Sequence, residues 1–238
     1  MFADGRLEPD QERSAIRALI GRRVDGLVVI GGCLRDAELA EFAREVPLVV
    51  AGRRCREPEL PCVYVDNVDG GYQAARHLIE LGHRRIALIQ GHHHHSDAAD
   101  RHAGFRQALR DAGICEDPAL ICDGDFSPEA GVIAVERLVS QNAPFTAIFA
   151  MNDMMAFGAR LALDRHAIAV PQRVSLVGFD DQMEAAFMTP PLTTVRQPAR
   201  EMGECAAKGM IELLAGRPFT PQCMRTQLVA RESTAPPD

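Results

Sequence analysis

Short runs of β-branched and aliphatic residues alternate with stretches whose apolar positions recur every three or four residues, and the alternation continues almost to the end of the chain. The first kind of run predicts a strand and the second an amphipathic helix. Strands are expected at 27–30, 48–51, 63–65, 86–90, 120–122, 147–150, 174–178, 193–195 and 228–230. Strands alternating with helices build βαβ units, so the expected class is α/β with parallel sheets.

Several helix ends are marked. Between 96 and 112, Ala98, Phe105, Ala108, Leu109 and Ala112 fall on one face, and Gly113 supplies the stop. Ser127 followed by Pro128 reads as an N-cap and a first-turn proline. A long last helix over 197–215 turns Met202, Cys205, Ala206, Gly209, Met210 and Leu213 inward and stops at Gly216. The proline-containing tail 234–238 is expected to fray.

Composition narrows this picture without changing it. With 238 residues, 47% hydrophobic and 25% charged, the chain suits one large domain or two small ones. No apolar run approaches the roughly 18 residues of a membrane helix, and the first residues form no apolar signal core, so a cytoplasmic protein without membrane contact is expected. A formal charge of −7 leaves no basic footprint for direct nucleic-acid binding by this stretch. The seven cysteines, at 33, 55, 62, 115, 122, 205 and 223, include no C-x-x-C pair. Their odd number argues against a disulfide framework, and most are expected to be small buried hydrophobes.

In open parallel sheets, ligands bind beyond the carboxyl ends of the strands, where loops are free of packing duty. Asp69 follows the third expected strand, His92 to Arg101 the fourth, Phe126 the fifth, Asn152 and Asp153 the sixth, and Asp180 and Asp181 the seventh. Carboxylates, an amide, a guanidinium and one aromatic ring suit the hydroxyls and the apolar face of a sugar. Dinucleotide, P-loop and nucleophile-elbow motifs are lacking, so no cofactor is expected.

Each residue also has a purely structural reading. Asn152 and Asp153 suit a cap for the helix through Phe157 and Leu161, Asp181 a cap for a short helix toward Phe187, and Asp69 a cap for a helix reaching Leu81. Phe126 suits the core, and Arg101 an exposed helix face. The functional reading gains from their convergence alone. The run His92 to His95 looks like a metal cluster, but adjacent loop positions do not aim their rings at one centre, and a solvated loop without metal is expected.

The segments carrying these residues resemble the LacI/GalR repressor family. The resemblance runs through 65–72 and 77–87, through 145–150 into Asn152 and Asp153, through 174–181, through 191–198 and to the close at 229–233. It implies a two-lobed, periplasmic-binding-protein-like (type I) fold with the ligand between the lobes. It places residues 1–90 plus 198–218 in the first lobe and 91–195 plus 222–233 in the second, with crossings near Gly91, Gln197 and Phe219. It implies effector contacts at Asp69, Arg101, Phe126, Asn152, Asp180 and Gln197. The loop 96–101 looks closest to the galactose repressors.

Family members begin with a helix-turn-helix, a hinge helix and the opening elements of the first lobe, whereas Phe2-Ala3-Asp4-Gly5 looks like the tail of a second strand. The expectation is therefore that the DNA-binding head and part of the first lobe lie outside this chain, which leaves 27–30 as an open edge. The function implied is that of the effector-binding and dimerisation domain of a repressor. Its partners would be a small sugar, operator DNA through the helix-turn-helix head, and a second copy. A periplasmic sugar-binding protein and a nucleoside or sugar hydrolase using Asp180 and Asp181 are the alternatives.

Overall fold

The computed structural model describes residues 1–6, 8–57, 60–92 and 95–237. In chain order the first elements are α1 (Pro9–Gly21), β1 (Leu27–Ile30), α2 (Asp36–Ala43), β2 (Leu48–Ala51), β3 (Cys62–Val65), α3 (Asn67–Glu80), β4 (Ile86–Ile89) and α4 (Ser96–Asp111). The rest are β5 (Ile121–Cys122), α5 (Pro128–Ser140), β6 (Ala147–Ala150), α6 (Asp153–Arg165), β7 (Ser175–Asp180), β8 (Thr193–Arg196), α7 (Ala199–Leu214), β9 (Gln222–Met224) and β10 (Gln227–Val229).

The chain forms two compact units. One joins Met1–Asp66 to Pro198–Arg225, and the other joins Asn67–Gln197 to the segment from Thr226 onward. The first holds a parallel sheet in the order β1-β2-β3-β9. Leu48 and Val50 of β2 point into a core with Leu39 and Phe42, while Val49 joins Val63, Met202 and Ala206 on the opposite face. This is the two-residue period of a strand covered by helices on both sides. Among the described residues β1 is the edge of this sheet, with Val28 42% and Ile30 78% exposed. Residues 1–5 form no strand; they line a cavity with α1 and β1.

The second unit holds a sheet in the order β10-β8-β7-β6-β4-β5, parallel except for the antiparallel β10. Every residue of β4 and β6 is buried. Its core includes Phe105, Phe149 and Phe179. Two helix pairs cover it at unusually short range. A Cβ on Gly71 of α3 would lie 2.1 Å from the Arg101 carbonyl oxygen, and one on Gly104 of α4 would lie 1.9 Å from that of Val68. Gly131 and Gly158 repeat the arrangement for α5 and α6, at 2.0 Å from the Met155 oxygen and 1.8 Å from the Pro128 oxygen. Backbone contact of this kind fixes how far each helix start lies from its partner.

Several expectations are corrected. Residues 67–90 belong to the second unit, because β4 pairs with β5 and β6, and α3 packs on α4. The crossings therefore fall at 66/67, 197/198 and 225/226, and β9, a three-residue and mostly exposed strand too short for hydropathy to reveal, stays with the first unit. Leu120 ends a short 3-10 turn rather than starting β5. Ala112 is exposed. The tail does not fray up to Ala235. The Ser233 hydroxyl donates to the Leu176 carbonyl at 2.6 Å, Thr234 meets His77 Nε2 at 2.9 Å, and the Ala235 N–H donates to Ser175 Oγ at 2.9 Å. Only Cys55, Cys62 and Cys122 are buried, and all seven cysteines are free thiols.

Candidate functional site

All six residues singled out from the sequence lie in the second unit, five of them at or just beyond the carboxyl ends of its strands. Arg101 anchors the group. It lies on the face of α4 shared by Ala98 and Phe105, one turn away on either side, and is 4% exposed. Its Nε donates to Asn67 Oδ1 at 2.8 Å and its Nη1 to the Met151 carbonyl. The guanidinium carbon stands 3.7 Å above the Phe179 ring centroid, a cation–π contact out of water. The reading of Arg101 as an exposed helix charge is thereby overturned, and its position on the apolar face of the 96–112 pattern was the signal for it.

Asp180 ends β7, with an oxygen 3.8 Å from Arg101 Nη1. Its other partner is Gln197, whose Nε2 donates to Oδ1 at 2.6 Å. Burial pushes the Asp180 carboxyl up, against Arg101 and the Gln197 and Gln182 side chains, which favour the charged form. Burial likewise pulls the Arg101 guanidinium down, opposed by Asp180, Asp97 and Asp153. Asp180 has φ 116° and Asp181 φ 57°, two successive residues in the region that favours glycine.

Asp181 does not cap the turn after it. It is clamped by Arg231 Nη2 at 2.5 Å and Arg196 Nε at 2.6 Å, which outweigh burial and hold its carboxyl below the usual range. Behind it lies Asp153, fully buried. Its oxygens accept the Gln182 N–H at 2.8 Å and the Thr194 hydroxyl at 2.6 Å. Burial pushes this carboxyl up to about 7 in spite of both hydrogen bonds.

Asn152 does cap α6, as its structural reading held, accepting the Met155 N–H at 2.9 Å. Its amide nitrogen also donates to the Phe126 carbonyl at 2.9 Å. Phe126 has φ 71°, so Asn152 holds a backbone that would otherwise relax. The Phe126 ring lies 6.0 Å from the Arg101 guanidinium carbon and 5.5 Å, edge on, from the His95 ring. A Cβ on Gly91 would meet the ring at 2.0 Å. Asp69, in the first turn of α3 rather than before it, accepts from Gln73 Nε2 at 2.6 Å.

The structure thus brings Arg101, Asp180, Gln197 and Phe126 together, with Asn152 beneath Phe126, while Asp69 is held by Gln73, which reaches Thr226 and Leu228 instead. Asn67, Phe179 and Gly91 were not foreseen, because one exposed-looking amide, a core phenylalanine and a glycine carry no motif. Of the histidine run, His93 and His94 lie outside the described residues. Among the described residues no three His, Cys, Asp or Glu side chains are grouped to hold a metal ion, and no helix is long and apolar enough to cross a membrane.

A family model for the periplasmic binding protein-like domain matches residues 75–234. The HTH-type transcriptional repressor PurR of Klebsiella pneumoniae is 36% identical over 96% of this chain and 68% of its own length. Among solved structures, a sugar-binding transcriptional regulator of the LacI family from Escherichia coli, complexed with phosphate, superposes with a TM-score of 0.88 at 33% identity, covering 100% of this chain and 86% of that one. The dimeric Lac repressor with an 11-residue C-terminal deletion gives 0.88 at 28% identity, covering 96% and 84%. These relatives are transcriptional regulators, and the chain shares the fold of the solved ones. It belongs to the LacI family of transcriptional regulators, as an effector-binding domain of periplasmic-binding-protein-like fold.

Proposed function

We propose that the strand-end group of the second unit binds a small sugar or sugar derivative, and that this binding modulates operator recognition by the DNA-binding head of the full repressor. The observation that carries the reading is the buried Arg101 guanidinium facing Asp180 across 3.8 Å, at the rim of the sheet. Arg101 supplies donors and Asp180 an acceptor, the two characters that neighbouring hydroxyls of a sugar ring require. Phe126 supplies the apolar cover, and Asp69, Asn152 and Gln197 complete or support the set.

Binding is favoured over turnover because Asp181, the second carboxylate of the hydrolase alternative, is locked to two arginines. It cannot share acid and base work with Asp180 while so held.

Calorimetric titration of mono- and disaccharides, their phosphates and nucleosides tests the reading. Arg101→Ala and Asp180→Asn are each expected to cost about 1.5–3 kcal/mol of affinity for the sugar that binds. Unchanged affinity with a lowered melting point would return both residues to a structural role.

The full repressor acts as a homodimer, in keeping with the two-fold operators such heads read. The exposed apolar face of α5 and α6, with Ile133 67% and Leu161 47% exposed beside Phe157, is the surface assigned to the partner copy. Ile133→Glu is expected to shift sedimentation toward monomer without changing the melting point of the monomer.

A further inference from the structure

We infer that Asn67, Gln73 and Thr226 are positioning residues, which tie the effector-site side chains to the three points where the chain passes between its units. The inference rests on the effector reading above and deepens it. The chain passes at Asp66/Asn67, Gln197/Pro198 and Arg225/Thr226. At each point the residue on the second unit's side is hydrogen-bonded into the site.

Asn67, 3% exposed, accepts Arg101 Nε at 2.8 Å. Gln197 donates its amide to Asp180 Oδ1 at 2.6 Å and its backbone N–H to the Asp180 carbonyl at 3.4 Å. Thr226, 7% exposed, accepts Gln73 Nε2 at 3.1 Å, and the same nitrogen donates to Asp69 Oδ2 at 2.6 Å. Gln73 Oε1 then takes the Leu228 N–H at 3.0 Å, which fixes the residues after the third crossing as well.

Two of the anchors are joined through Arg101 and Asp180, and the third lies beside them. Arg101 faces Asp180 and rests on the Phe179 ring. That ring fills the space beside Gly70, where a Cβ would lie 2.7 Å from it and 3.3 Å from Thr226 Oγ1. A ligand that recruits Arg101 and Asp180 therefore competes for the same donors and acceptors that hold Asn67 and Gln197. Coupling of this kind is reciprocal: whatever loosens a crossing changes the site, and the reverse. Buried polar networks transmit such changes because a broken member leaves its partner unsatisfied.

Amide hydrogen exchange on the full 238-residue chain tests this without a known ligand. Arg101→Gln is expected to speed exchange about tenfold at residues 67, 197 and 228. Amides at the opposite end of the same sheet, at 146 and 175, should keep their protection. Asn67→Ala should speed exchange at Gln197 and Leu228, neither of which it touches. It should also weaken, about tenfold, whichever sugar of the panel binds.

Asn67→Asp restores an acceptor for Arg101 and should return both readouts toward the parent, as a merely local structural role would not require. Gln73→Ala, on the helix surface, repeats the test if Asn67→Ala does not fold. Faster exchange confined to the substituted crossing overturns the inference. Coupled exchange in a chain that binds no sugar or nucleoside supports the network and overturns the effector reading instead.

Discussion

The six-stranded sheet carries a buried polar network at each end of its strands, and the two are built on different plans. At the amino ends, His83 is 1% exposed and touches Thr146 Oγ1 at 2.9 Å, Ser175 Oγ at 3.0 Å and the Ala235 carbonyl at 2.9 Å. A carbonyl only accepts, so His83 Nε2 carries the proton, and the cluster is neutral with every member matched. At the carboxyl ends, the ionisable Arg101 and Asp153 are buried and Asp180 and Asp181 half-buried, and Phe126, Asp180 and Asp181 sit at positive φ. One end spends its polar groups on closing the fold, whereas the other keeps charge and strained backbone where an open strand end can present them to a ligand.

The largest effect that would sharpen this contrast is at Gly71. Gly71→Ala puts a methyl group against the Arg101 carbonyl, so α3 and α4 must separate; a loss of about 3 kcal/mol in denaturant unfolding is expected, together with sugar affinity. His83→Ala strips three partners at the other end. It should cost about 2–3 kcal/mol of stability and leave the Kd of the folded fraction within twofold. A large change in Kd from His83→Ala would break the contrast.

The two ends also titrate with opposite sign. Asp153, pushed up to about 7, binds its proton more tightly folded than unfolded. Its contribution is fully present below about pH 4 and is lost as pH rises through about 7, on the order of 2–4 kcal/mol. His83 is pushed down by burial, so its contribution is present above about 6.5 and is lost as pH falls through its lowered value. Melting curves from pH 4 to 8 should show the acid-side loss alone in Asp153→Asn and the alkaline-side loss alone in His83→Gln. Identical profiles in the two variants would refute the assignment. The smallest effect is at Arg196, which is half exposed: Arg196→Gln should change stability by about 0.5 kcal/mol, since Arg231 still holds Asp181.

Much of this architecture was legible in the sequence, for reasons the same contrast explains. Strands buried on both faces, such as Ala147–Ala150, announce themselves as apolar runs, and Ser127 caps α5 through the Ala130 N–H as its motif requires. The carboxyl-end rim was found because loops after parallel strands carry the polar residues that a core rejects. The amino-end network was not, since His83, Ser175 and Ala235 are distant in sequence and share no motif. Unit boundaries were hidden because the chain passes between units at the start of α3, just beyond β8 and between β9 and β10, with no linker composition to mark it. The depth of Arg101 was written in its helical face, but charge overrode periodicity in the reading.

The division into two discontinuous units also sets a timetable for synthesis. Residues 198–225 complete the first unit only after most of the second has been made, and the second in turn waits for Thr226, β10 and the tail through Ala235. Until then β8 lacks its antiparallel partner β10, and Ser175 lacks the Ala235 carbonyl and N–H that meet its hydroxyl. Neither unit can reach its final state until its late segment has emerged, through Arg225 for the first and Ala235 for the second. The nascent chain therefore presents an unfinished sheet edge from the synthesis of β8 until β10 and the tail have emerged, and chaperone capture during that interval should fall sharply once residue 235 clears the exit tunnel.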